Sequence, residues 1–167
     1  MMVQALVVYE SMFGNNRALA EAIAEAVGGV AVEVGVAPEA LPPEVDLLFV
    51  GAPTHALTLS SDATRWAAAT EHADGPLVSN GRSMREWLAN LTGAEGVAAH
   101  PFGTHVKVTW PPSSAARSIG KKLRALGCVV GEPKSFKVTG FTGPFAPGEV
   151  ERAKLWARTA LSGAPAR

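Results

Sequence analysis

At 167 residues the chain has room for one domain with a real core, and 47% apolar against 18% charged residues excludes a disordered chain. The single cysteine, Cys128, excludes an intramolecular disulfide and a cysteine-rich metal site. The formal net charge of zero hides a segregation: residues 1–100 carry four Lys/Arg (Arg17, Arg65, Arg82, Arg85) against twelve Asp/Glu, and residues 101–167 carry eleven against three. That pattern reads either as two solvated faces of opposite sign or as a dipole that orients a charged partner. Dispersed basic residues without interleaved aromatics do not make a nucleic-acid footprint. No basic region precedes the apolar run Ala5–Tyr9, which is too short to cross a bilayer, so the expectation is a soluble cytoplasmic protein without membrane insertion.

Short apolar strands alternate with helical stretches throughout, the pattern of a parallel sheet covered on both faces. Val3–Tyr9 is the first strand, almost continuously apolar. A Gly/Asn loop leads into a helix over Asn15–Val27, whose Leu19, Ala22, Ile23, Ala26 and Val27 share a face and which Gly28-Gly29 stops. Val30–Val34 alternates and reads as an edge strand, and Asp46–Gly51 is a third, buried strand after Pro42-Pro43. Ser61 or Asp62 caps a helix to about His72, Ala73–Asn80 is a loop, and Arg82–Leu91 is an amphipathic helix. Val97–Val106 contains the fourth strand, broken in character by Pro101 and Gly103. Pro111-Pro112 opens a helix through Leu126, closed by Gly127, and Val129–Val138 supplies the fifth strand with an irregularity at Gly131 and Pro133. The last helix is Glu149–Leu161, and 162–167 reads as a frayed tail of a single domain, 1–167.

In doubly wound sheets a ligand sits outside the carboxyl ends of the strands. Ser11-Met12-Phe13-Gly14-Asn15-Asn16 joins the end of the first strand to a helix N-terminus, where unpaired backbone N–H groups and the helix dipole favour an anion. The alternative is a plain turn that caps its own helix. Neither the Gly-Lys-Ser/Thr ending of a nucleotide triphosphate loop nor Gly-x-Gly-x-x-Gly is present. A loop of backbone amides and small polar side chains without lysine suits a monophosphate ester.

The segment ALVVYESMFGNNRALAEAIAEAV resembles the flavodoxin signature, a buried strand followed by Ser/Thr-x-Thr-Gly-Asn-Thr and a helix. Ser11, Gly14 and Asn15 match it, while Phe13 and Asn16 stand where the family usually has threonine. The resemblance is to flavodoxin-domain proteins of bacteria. It implies an α/β, flavodoxin-like, doubly wound five-stranded parallel sheet of order 2-1-3-4-5 with helices on both faces. It also implies flavin mononucleotide (FMN), with Ser11–Asn16 on the phosphate and two further loops, Pro53-Thr54-His55 and Phe102-Gly103-Thr104-His105, on the flavin ring. Trp110 lies close to where the family places a ring-stacking aromatic, and loop packing is its alternative.

The stretch His55–Leu59 has no glycine, and the acidic residue that the family places after the glycines of the other loop is absent, with His105 nearby. The first departure predicts weaker stabilisation of the one-electron-reduced flavin, and the second a less negative potential than a low-potential carrier. His55 and His105 each have the alternative of capping a neighbouring carbonyl, and His72 and His100 read as structural. Trp66, Trp87 and Trp156 read as packing residues and Cys128 as a buried small hydrophobe. No metal site and no catalytic residue of the chain stand out.

The leading function is therefore electron transfer to a redox partner protein or a small-molecule acceptor. A flavin-dependent quinone or protoporphyrinogen oxidoreductase on the same scaffold is the second reading. A flavin-free interaction or regulatory module is the third. Nothing requires more than a monomer.

Overall fold

A computed structural model describes residues 2–54, 59, 61, 65–66, 77–106, 114–140 and 142–165. Its elements are β1 Ala5–Tyr9, α1 Asn15–Val27, β2 Val30–Glu33, β3 Leu47–Pro53, α2 Met84–Asn90, β4 Ala98–His105, α3 Ser114–Ala125, β5 Val129–Val130, β6 Lys134–Lys137 and α4 Glu149–Gly163. The strands form a parallel sheet of order β2-β1-β3-β4-β5, with β6 added beside β4. The doubly wound order inferred from the resemblance is the order observed.

The central strands are apolar because both their faces are covered. Leu6, Val8, Leu48 and Val50 face one core with Trp87, Ile119 and Leu123, under α2 and α3. Val7, Tyr9, Leu47 and Phe49 face the other with Leu19, Ile23, Ala153 and Ala157, under α1 and α4. Gly28, in the left-handed region at φ +65°, ends α1 where expected. The Ser83 hydroxyl accepts from Glu86 N–H and starts α2 two residues later than the amphipathic pattern suggested.

Three expectations change, and the irregularity expected at Gly131 and Pro133 is a break between two strands. The strand expected to break at Pro101 runs unbroken over eight residues. Val97, Ala99 and His105 carbonyls accept from the β5–β6 side, so Pro101, in the same phase, turns its missing N–H to the break between β5 and β6. The fifth strand is split in two at Gly131–Pro133, where Gly131 lies so close to His100 that a Cβ would stand 2.5 Å from its Nδ1. The final helix continues to Gly163, so Ser162 and Gly163 are not part of a frayed end. Trp66, expected to be a packing residue, is 70% exposed. Trp87 is fully buried, and Trp156 packs edge-on against Phe49 and His100 and close to Phe102 and Phe136. Cys128 is buried, and burial pushes its thiol up. The expected helix from residue 62 to His72 lies outside the described residues, apart from Arg65 and Trp66.

Gly51 is opposite Phe102 in the β3–β4 ladder, and its absent side chain is where the Phe102 ring sits: a Cβ would come within 2.1 Å of it. Gly51→Ala is expected to cost about 3 kcal/mol in urea denaturation through overpacking. Gly81→Ala, with nothing within 4 Å of the new atom, is expected to change stability by less than about 0.5 kcal/mol.

Candidate functional site at the carboxyl edge of the sheet

Three strands end together. Tyr9 pairs with Gly51, and Gly51 with Phe102, so the segments after β1, β3 and β4 emerge at one edge. Glu10 N–H donates to Gly51 O, and Thr54 N–H to Thr104 O, which keeps the three in line just beyond the strands. This brings Ser11–Asn16, Pro53, Thr54 and Gly103–His105 to one place. His55 and Trp110 lie outside the described residues.

The loop after β1 is tightly held. Ser11 N–H donates to the Ser79 hydroxyl at 2.9 Å, Ser79 N–H returns to Ser11 O, and Val78 N–H donates to Met12 O. The Ser11 hydroxyl accepts from Gly14 N–H at 3.1 Å and keeps its own proton to donate. Met12 is buried against Leu77, so its side chain serves the loop and not the edge. Gly14 adopts φ +100°, with nothing within 4 Å of where a Cβ would stand. Ala18 N–H, bonded to Gly14 O, closes the first turn, and the N–H groups before it face out of the helix end. Gly143, at φ +88°, approaches so closely that a Cβ there would lie 2.8 Å from Asn15 Oδ1.

Asn16 turns inward. It is 2% exposed, and its Nδ2 donates to Thr104 Oγ1 at 2.7 Å, tying the start of α1 to the end of β4. Its Oδ1 is buried without a hydrogen-bond partner. Turning the amide over exchanges the two ends and leaves one unpaired either way. An orphaned polar atom in a buried site is uncommon and calls for a partner from elsewhere.

Phe102 corrects an expectation. Its side chain is fully buried in the core with Phe49, Phe136 and Trp156 nearby, because the space above Gly51 draws the ring onto the sheet and away from the edge. His105 stays at the edge with its Nδ1 buried and unpartnered. Burial pushes its pKa below 6.5; the Glu149 carboxylate pulls upward, and Lys137 and Arg152 push down. Glu149 itself is held low, first by its hydrogen bond with Arg152. His105 is thus neutral at physiological pH. His100, deeper in β4, is also pushed down by burial; it stacks beside Phe49 and Trp156 and is structural, as expected.

The sequence reading missed Glu10. Its carboxylate is fully buried next to the loop, where it accepts from Arg65 Nη2 at 2.9 Å and from Met84 N–H at 3.0 Å. Arg65 Nη1 in turn donates to Gly81 O. The signal was present as a charge closing the buried run VVYE. What could not be seen was its partner, 55 residues on.

No protein-family model matches the chain, and no curated protein matches it in sequence. Solved structures do resemble it. Oxidised flavodoxin 1 from Bacillus cereus is 18% identical, with 96% of this chain and 98% of that one covered and a TM-score of 0.67. A short-chain flavodoxin associated with a bacterial microcompartment is 17% identical, covers 98% and 100%, and scores 0.69. A flavodoxin, WrbA-like protein from Agrobacterium tumefaciens is 16% identical, covers 96% of each chain and scores 0.59. The chain has the flavodoxin-like fold.

Two outcomes test this account. Arg65→Met leaves the Glu10 carboxylate buried without its cation and is expected to cost about 3 kcal/mol in urea denaturation; adding Glu10→Gln is expected to recover part of that loss. The unfolded chain binds protons more readily than folded His100 and His105. Their contribution to stability is therefore complete above about pH 6.5 and is lost as pH falls toward their lowered values. Stability measured from about pH 7.5 to about pH 5.5 is expected to decline, and less steeply in His100→Gln/His105→Gln.

Proposed function

We propose that the chain binds FMN at this edge and passes electrons between a partner protein and a protein or small-molecule acceptor. The observation that carries the reading is the buried, unpaired amide end of Asn16 beside an open helix N-terminus. The residues present suit the group. Gly14 leaves the approach to the first-turn N–H groups clear, and Ser11 keeps a proton to donate. The loop Ser11–Asn16 contains neither lysine nor arginine, so its own donors are neutral, which suits a monophosphate ester rather than a triphosphate.

In this reading Ser11–Asn16 hold the phosphate, with Asn15 positioned by the close backbone of Gly143. Asn16 offers its free amide end to the chain that leads from phosphate to ring. Pro53, Thr54, Gly103, Thr104 and His105 border the ring, together with His55 and Trp110. The bound flavin supplies transfer of one or two electrons. His105 borders it as an uncharged imidazole and adds no negative charge, which favours accumulation of electrons on the ring relative to an acidic surround.

Fluorescence titration of the cofactor-free chain with FMN, flavin adenine dinucleotide and riboflavin tests this reading. FMN is expected to bind tightest, riboflavin about a hundredfold more weakly for want of its phosphate, and Asn16→Leu to weaken FMN about tenfold. No binding with excess FMN overturns the reading in favour of a flavin-free module. Steady turnover of a nicotinamide donor with a quinone replaces the carrier by an enzyme.

A further inference from the structure

The helix α3 carries four cations and no anion. It turns Ala115, Ala116, Ile119, Gly120 and Leu123 to the sheet, where Gly120 sits against Pro101, Pro133 and Val130. Arg117, Lys121, Lys122 and Arg124 are exposed on the outside, with Arg117, Lys121 and Arg124 forming one stripe at i, i+4, i+7. The helix contains no Asp or Glu. Among the described residues, ion pairs join Arg17–Glu21, Arg65–Glu10, Arg82–Glu39, Arg152–Glu149 and Lys154–Glu151, and none involves α3.

Part of this has an internal explanation. Lys122 and Arg124 lie in the last turn, where a cation complements the helix dipole. Arg117 and Lys121 have no such explanation. Arg117 is in the first turn, against the positive end of the dipole, and faces a like charge four residues on. Both placements destabilise the helix, and among the described residues no ion pair or side-chain hydrogen bond offsets them. A local rule broken without compensation marks a surface shaped by something outside the fold.

We propose that α3 docks an acidic protein partner. The inference goes beyond the flavin reading and does not depend on it. Charge complementarity selects the class of partner. The stripe is basic and carries no anion, so a partner with a local acidic face is attracted and oriented, and the helix offers no aromatic side chain on which a nucleic-acid base could stack. None of the exposed large apolar side chains lies on α3, so the helix has nothing to insert into a bilayer. It packs along β3, β4 and β5, and thus flanks the sheet whose carboxyl edge carries the candidate site.

The test is anisotropy of a fluorescein-labelled Glu/Asp-rich peptide titrated with the full chain, without and with FMN. The peptide is expected to bind in a salt-sensitive way. Arg117→Glu/Lys121→Glu is expected to weaken it about tenfold, with a melting temperature no lower than that of the parent. Reversing two exposed cations elsewhere, Lys137→Glu/Arg158→Glu, is expected to change affinity by less than about twofold. Absence of peptide binding, an unchanged affinity in the α3 variant, or an equal loss in the control overturns the proposal. So does tighter binding to duplex DNA or to anionic phospholipid vesicles than to the peptide. Each result is read with or without flavin, so a failure here is separate from a failure of the flavin reading.

Discussion

The register of β1, β3 and β4 is the constraint from which the rest of the molecule follows. A parallel strand buried on both faces has only its neighbours to satisfy its backbone, and its side chains must suit two cores at once. Leu6 and Val8 serve one core and Val7 and Tyr9 the other, so a slip of one residue would exchange every partner. The same register brings Tyr9, Gly51 and Phe102 to one level. The three loops of the candidate site are together because the strands beneath them are in step. Asn16 and Thr104 then close the span from the first strand to the fourth with one buried hydrogen bond.

A second constraint is the charge placed at that edge. A carboxylate as deeply buried as Glu10 requires a cation and further donors. Arg65 and Met84 N–H supply them, which holds Arg65 at the edge. The other cations of the acidic half are also engaged. Arg82 reaches Glu39 and the carbonyls of Val34 and Ala37, Arg85 reaches Leu59 O, and Arg17 pairs along its own helix. The loop beside Glu10 has only neutral donors of its own, and the end of α1 adds a positive potential.

Local chemistry made much of this legible. The helix Asn15–Val27 was readable because its apolar period and the Gly28 stop are both local, and both matched the structure. The split around Gly131 and Pro133 showed as an irregularity for the same reason. Pro101 misled because its tolerance depends on a gap between β5 and β6 that no local pattern reveals. Phe102 misled in the same way: its ring points inward because Gly51, on another strand, leaves room. Asn16 was legible as a polar loop residue, but its bond to Thr104 spans 88 positions. Side chains committed by contacts distant in sequence were the part that sequence reasoning could not place.

Set together, these contacts describe an edge from which charge has been removed on each side. Glu10 is neutralised by Arg65, Glu149 is turned to Arg152 and Lys137 N–H, and His105 is held uncharged by burial. The helix end adds a fixed field directed at the loop after β1. A ligand charged at one end and neutral at the other would be oriented by that field, with its anion on Gly14–Asn16 and its neutral body toward Thr54 and Thr104. Uncancelled charge is found instead along α3, where four cations face out without an anion on the helix. Charge in this molecule thus divides its labour by place: it is cancelled where a small ligand would sit and left uncancelled on the surface that a larger partner could reach.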